Sequence, residues 1–263
     1  VIGTNAQRTQ EHVEFVKSVD NYGGAWRDLR LAFVEHDNRY LTSLDLMNQI
    51  FEQQGIEEES FNNLDFLWPA VSYLSSFLHK RNFTVDWVNL FQEEKDQLAE
   101  KLSDQSVLSV AITTTLYVSP QPRIEIIQFV RQHSDAHIIV GGPYIAGQAD
   151  IRNEDELSSL FEYLGADTYV ISSEGEQTLA KVISALKDDT PLRDIANLST
   201  RDSNNPVQPF TRTPVEVESN ALEDESVNYT LFSKKQLYRF LSIRTAKSCP
   251  YACAFCGFPQ RAG

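Results

Sequence analysis

Apolar residues in this chain fall into two alternating rhythms. Residues 107–113, 137–140 and 168–171 are short, nearly continuous apolar runs of the kind buried strands carry, and 84–90 alternates as a further strand. Leu29, Leu31, Phe33 and Val34 predict an earlier strand over 29–34. Between these runs the spacing becomes helical. Val71, Leu74 and Leu78 share a stripe after Pro69, and 95–102 and 122–130 read as helices. Leu157, Leu160, Phe161 and Leu164 mark a helix over 154–164, and Leu179, Val182, Ile183 and Leu186 one over 176–186. This alternation predicts an open, mostly parallel α/β sheet with helices on both faces, because right-handed crossovers cover both.

The flanking stretches have other textures. Residues 1–27 are polar apart from scattered apolar positions, with a short helix predicted from Gln10 to Val19 and ended by Gly23-Gly24. They read as an N-terminal extension, and 28–187 as the sheet domain. Residues 40–66 read as an irregular insertion or lid whose acidic run, Glu57-Glu58-Glu59, is a solvated face. Residues 188–236 hold few apolar anchors, with Pro206, Pro209 and Pro214 and an acidic stretch over 216–225, and predict a linker draped over the sheet domain. Strand character resumes at 238–244, where a last segment, 237–263, begins.

Composition narrows the partners. Hydrophobic residues are 41% and charged residues 23%, which places the chain among globular proteins. Its 37 acidic residues outnumber 23 basic ones for a net charge of -14, so no nucleic-acid partner is expected. No apolar run is long enough for a membrane span, and residues 1–5 do not resemble a signal peptide. The expectation is a cytoplasmic protein without a membrane partner, and a piece of a longer chain.

All 3 cysteines lie in Cys249-Pro250-Tyr251-Ala252-Cys253-Ala254-Phe255-Cys256. An odd number cannot pair completely within the chain, so a metal or cluster is the leading reading. Structural zinc needs a fourth protein ligand, and none of His12, His36, His79, His133 and His137 is near in sequence, though one could come from afar. A redox pair at Cys253 and Cys256 leaves Cys249 unexplained. Inert core cysteines are a further alternative. Three thiolates can also hold all but one iron of a cubane cluster, leaving an iron open for chemistry.

The spacing Cys-x3-Cys-x2-Cys, with Phe255 before the last cysteine, resembles the signature of the radical S-adenosylmethionine enzymes. The resemblance implies a [4Fe-4S] cluster on Cys249, Cys253 and Cys256, whose open iron chelates S-adenosyl-L-methionine. Reduction then cleaves a carbon–sulfur bond to give a 5'-deoxyadenosyl radical, with Phe255 near the adenine. It also implies an electron donor such as flavodoxin or ferredoxin, and the start of a (β/α) barrel in 237–263. The family's glycine-rich motif is not present here.

The sheet domain lacks Gly-x-Gly-x-x-Gly after a strand and Gly-x4-Gly-Lys-Ser/Thr, so a dinucleotide or P-loop site has no signature. It carries instead Gly141-Gly142-Pro143-Tyr144 after one strand and Ser172-Ser173-Glu174-Gly175-Glu176 after the next. Glycines leaving a strand permit close backbone approach to a bulky ligand, and they also serve ordinary strand-to-helix turns. Together these turns resemble the Rossmann-like cobalamin-binding domain found upstream of many radical S-adenosylmethionine barrels. The cofactor face then consists of Thr113, Thr114, Thr115, Leu116 and Tyr117, of Gly141, Gly142 and Pro143, and of Ser172, Glu174 and Gly175. His36 stands in the loop after the predicted first strand, without the Asp-x-His-x-x-Gly motif of cobalt-ligating domains.

The resemblance implies a cobalamin-dependent methyltransferase acting on an unactivated carbon or phosphorus of a small molecule or peptide, with activity belonging to the parent protein. It carries over no catalytic side chain. A radical enzyme whose sheet domain binds substrate rather than cobalamin, and a non-catalytic metal-stabilised binding module, are the alternatives.

Overall fold

The computed structural model describes residues 1–263 apart from 7, 20, 21, 57–60, 63, 116–118, 173, 203, 204, 219, 239, 247–250, 252 and 255–263. The chain forms two compact units, Val1–Asn5 with Leu67–Gly263, and Ala6–Phe66. Strand β1 (Ile2–Thr4) opens the larger unit. The smaller unit contains α1 (Thr9–Val19), α2 (Gly24–Leu29), β2 (Val34–His36), β3 (Arg39–Leu41) and α3 (Ser43–Gln53).

The larger unit resumes with α4 (Pro69–His79), β4 (Val88–Leu90), α5 (Lys95–Leu102), β5 (Ser109–Thr113) and α6 (Gln121–His133). Next come β6 (His137–Gly141), α7 (Pro143–Ile151), α8 (Glu154–Leu164), β7 (Thr168–Val170) and α9 (Glu176–Lys187). Strands β8 (Leu198–Arg201) and β9 (Phe210–Arg212) and the short α10 (Lys234–Leu237) complete it.

These strands make one 7-stranded mixed sheet in the order β4-β1-β5-β6-β7-β8-β9. Strands β4, β1, β5, β6 and β7 run parallel, while β8 and β9 are added antiparallel beyond β7. Among the parallel strands the order is that of the flavodoxin-like doubly wound sheet, and its direction of winding reverses beside β1. The register aligns Thr113 with Gly141, and Gly141 with Val170. The carboxyl ends of β5, β6 and β7 therefore share one edge.

Both faces of the sheet are buried, and alternate residues feed different cores. Val110, Ile112, Ile138, Val140 and Tyr169 pack with Leu98, Ile126, Ile145 and Phe161 from α5, α6, α7 and α8. Ala111, Ile139 and Val170 pack with Phe77, Leu78, Leu179 and Val182 from α4 and α9. Double-sided burial is why these strands read as continuous apolar runs. Tyr169 is fully buried, with its hydroxyl donating to Phe161 O at 2.7 Å and accepting from Ala166 N at 3.0 Å.

Several expectations are corrected. The expected strand over 29–34 is instead the end of α2, a 3-10 turn over Arg30–Ala32 and the start of β2. Of this stretch only Val34 enters a sheet, the two-stranded antiparallel β2–β3 pair, and Leu31 stays 79% and Val34 51% exposed. The true first strand of the sheet, β1, comes from the polar N-terminal stretch, where all of Ile2–Thr4 is buried. The region read as an irregular lid contains α3, begun by a capping box between Thr42 and Asp45.

Residues 188–236, expected as a linker, contribute β8 and β9 to the sheet. In the described part of 238–244 no strand forms, and Tyr238 takes φ 53°, outside the extended region. Helix α7 was not anticipated: its buried positions Ile145, Ala146 and Ala149 have helical spacing, but two of the three are alanines and make a weak apolar stripe. Among the described residues no helix is long and apolar enough to cross a membrane.

Candidate functional site at the carboxyl edge

In an open α/β sheet, ligands bind outside the carboxyl ends of the strands, near the point where the winding reverses. Here that reversal lies between β1 and β5. Asn5, directly after β1, spans it: its amide donates to Pro122 O at 2.8 Å and to the Glu125 carboxylate at 2.9 Å, both at the start of α6. Gln92 donates to Asn5 Oδ1 at 2.6 Å, and Lys95 pairs with Glu125 at 2.9 Å. Burial alone would raise the Glu125 carboxyl, but hydrogen bonds from Asn5, Lys95 and Gln92 hold it below its usual range. The sequence reading missed this network because β1 is short and set in polar surroundings.

The remaining edge brings together most of the proposed cofactor-facing residues. Thr113 ends β5 and Thr114 and Thr115 follow it; Leu116 and Tyr117 lie outside the described residues. Gly141 ends β6, Gly142 caps α7 and Pro143 is its first residue. Ser172, Glu174 and Gly175 join β7 to α9.

The hydroxyl protons here are engaged within the chain. Thr113 donates to Gly3 O at 3.2 Å, Thr114 to Gly141 O at 2.9 Å, and Ser172 to Glu174 O. Thr113 and Thr114 are 6% and 0% exposed, which leaves Thr115 and Ser172 as the partly exposed hydroxyl residues of this edge. The glycines also have reasons inside the fold. Gly142 has φ 109°, and a Cβ there would stand 2.9 Å from Thr114 Oγ1; one at Gly175 would stand 2.7 Å from Val170 Cγ1.

His36 stands apart from the strand ends just described. It lies in β2 of the smaller unit, exposed and 3.4 Å from the Asp37 carboxylate, whereas the loop after the first sheet strand starts at Asn5. Cys253 is exposed with a free thiol, chemically able to ligate iron or zinc; Cys249, Phe255 and Cys256 lie outside the described residues.

The acidic stretch over 216–225 anchors the N-terminus of α9. No side chain next to Gly175 caps this helix. The Glu218 carboxylate accepts from Gln177 N at 3.0 Å and Thr178 N at 2.9 Å. Beside it, oxygens of Glu174, Glu176 and Glu225 lie within 4.8 Å of one another, and Arg244 reaches all three carboxylates. Burial first, then the neighbouring carboxylates Glu225, Glu174 and Glu218, raises the Glu176 carboxyl above its usual range.

Two hollows lie elsewhere. One of about 600 Å³ is lined by Arg81, Phe83, Lys181 and Asp188, among others, and one of about 500 Å³ by Ser75, His79, Trp87 and Leu231, among others. Neither is lined by the strand-end residues of 113–115, 141–143 or 172–175.

A solved structure shares this fold. A radical S-adenosylmethionine methyltransferase, TsrM, from Kitasatospora setae, with cobalamin and a [4Fe-4S] cluster bound, matches at 19% identity and TM-score 0.52. The match covers 75% of this chain and 40% of that one. TsrM with tryptophan substrate and a S-adenosylmethionine analog bound matches at 23% identity and TM-score 0.44, over 56% of this chain and 27% of that one. The chain thus spans less than half the length of the proteins it matches. At this identity the likeness shows a common α/β fold. No protein-family model and no curated protein matches the sequence.

Proposed function

We propose that the chain is part of a cobalamin-dependent radical S-adenosylmethionine enzyme whose reaction is methyl transfer to an unactivated carbon or phosphorus. The observation that carries this reading is the Cys249, Cys253, Cys256 spacing placed after a doubly wound sheet with Thr, Gly and Ser at its carboxyl edge. The TsrM structure with cobalamin and a [4Fe-4S] cluster, which shares the fold, supports it.

The three thiolates would hold the cluster and leave one coordination position for S-adenosylmethionine, and the free Cys253 thiol fits that donor set. Thr115 and Ser172, partly exposed, would offer hydroxyl oxygens to the amide groups of a corrin, with the buried Thr113 and Thr114 and with Gly141, Gly142, Pro143, Glu174 and Gly175 forming the adjoining wall. When bound, these groups supply a one-electron reductant, a hydrogen-abstracting radical and a methyl donor. The chain's part is to hold them at one edge and orient them toward a common substrate.

Anaerobic reconstitution of the full chain with iron, sulfide and hydroxocobalamin tests this. About four irons and four sulfides per chain, with about one cobalt and visible corrin absorbance, is the expected result. Iron without cobalt would leave the radical reading and assign the sheet edge to substrate. Zinc alone would overturn the enzyme reading.

A further inference from the structure

The chain between the sheet and the cysteines is tied down at identifiable points. Lys80 of α4 donates to Asp224 O at 3.1 Å, Ser226 O at 2.9 Å and Ser226 Oγ at 2.8 Å, and Asn228 N donates to Ser76 Oγ at 2.9 Å. The Tyr229 hydroxyl donates to Ser242 O. Arg244, shortly before Cys249, then reaches three carboxylates. Its Nη1 is 2.8 Å from Glu225 and 3.9 Å from Glu176, and its Nη2 is 3.9 Å from Glu174, with Tyr73 near the guanidinium at 6.0 Å.

Glu225 is only 2% exposed, and the side chains of Glu174 and Glu176 are 15% and 16% exposed. Carboxylates this close and this dry repel one another unless a cation stands among them. A planar guanidinium can serve several carboxylates at once, which a lysine ammonium does less well. Glu174 lies in the turn between β7 and α9 and Glu176 opens α9, whereas Arg244 belongs to the segment that precedes the cysteines. The contact therefore joins the proposed corrin edge to the segment that precedes Cys249 in the chain.

We propose that Arg244 is a positioning residue, whose guanidinium shared among Glu174, Glu176 and Glu225 sets where the cysteine loop lies relative to the carboxyl edge of the sheet. The proposal rests on the radical-enzyme reading only for what the loop holds; the clasp itself is a property of the polypeptide.

Hydrogen exchange on the full chain, read by mass spectrometry, tests it without any cofactor. Arg244→Gln is expected to speed exchange about tenfold in both 172–179 and 240–246, leaving α6 unchanged, and Arg244→Lys to restore part of the protection. Where Arg244→Gln alone does not fold, the Arg244→Gln, Glu225→Gln pair removes the positive charge together with its nearest negative one, and the same comparison is made on it. Unchanged exchange over 172–179 would overturn the clasp.

A second readout is the electron paramagnetic resonance spectrum of the reduced, iron-reconstituted chain, with and without S-adenosylmethionine. The Arg244→Gln chain is expected to bind iron but to lose the spectral change that S-adenosylmethionine causes in the unsubstituted chain. An unsubstituted chain that holds no iron would remove the radical reading, while the exchange result still judges the clasp. An unsubstituted chain that responds to S-adenosylmethionine, beside an Arg244→Gln chain that responds identically, would overturn the positioning role alone.

Discussion

Helices α8 and α9 both begin with backbone N–H groups that have no acceptor inside the helix, and they meet that need from opposite directions. Helix α8 is capped by its own neighbours: Asn153 Oδ1 accepts from Glu156 N at 2.9 Å while the Glu156 carboxylate turns back to Asn153 N at 3.4 Å. Helix α9 follows a glycine with no side-chain cap, and its free N–H groups are met by Glu218 from beyond β9. The first start depends on a few adjacent residues. The second exists only when the segment after β9 is in place, so the turn holding Ser172, Glu174 and Gly175 is coupled to the chain that leads toward the cysteines.

Removing the distant cap should have the largest effect. Glu218→Ala is expected to cost ~2 kcal/mol, lowering Tm by about 4–8 °C, and to speed hydrogen exchange over 176–179 and 216–220 together. An unchanged Tm would mean that water caps α9 equally well.

The local cap should matter less and stay local. Asn153→Ala is expected to cost ~1 kcal/mol, with faster exchange confined to the first turn of α8. Exchange that spread to α9 would erase the contrast between the two helices. Because the two caps share no hydrogen-bond partner among the described residues, the double variant should add to within about 0.5 kcal/mol in denaturant titrations.

The smallest expected effect is electrostatic. The raised Glu176 carboxyl keeps a proton in the folded chain that the unfolded chain has already released. Its contribution to stability is therefore complete below the unfolded value and is lost as pH rises through the folded one. Glu176→Gln, having no such proton to lose, should raise Tm at neutral pH by about 2 °C and lose that advantage in acid. A difference that did not change with pH would assign the effect to packing instead.

The same contrast between local and distant causes explains what the sequence could reveal of fold and site. Helices at Lys95–Leu102 and Glu154–Leu164 were legible to the residue, because a stripe of apolar side chains declares them locally. The strand ends carrying Thr113, Gly141 and Ser172 were legible because the β5, β6 and β7 runs are buried on both faces. The clasp and the distant cap were not: Arg244, Glu225 and Glu218 look like ordinary charges in a polar stretch, and nothing in their spacing says that they converge on the start of α9.

By itself, the sequence determined the alternating strands and helices of 69–187, α7 excepted, and the set of three cysteines, since periodicity and residue chemistry are properties of short stretches. Tertiary structure decided that Ile2–Thr4 enters the sheet beside β5, that 29–34 does not, and that β8 and β9 extend it. It also decided that three carboxylates surround Arg244. The physical reason is common to all of these. A three-residue strand, or a buried charge, is stable only through partners supplied by distant parts of the chain, and no local pattern encodes which partners those are.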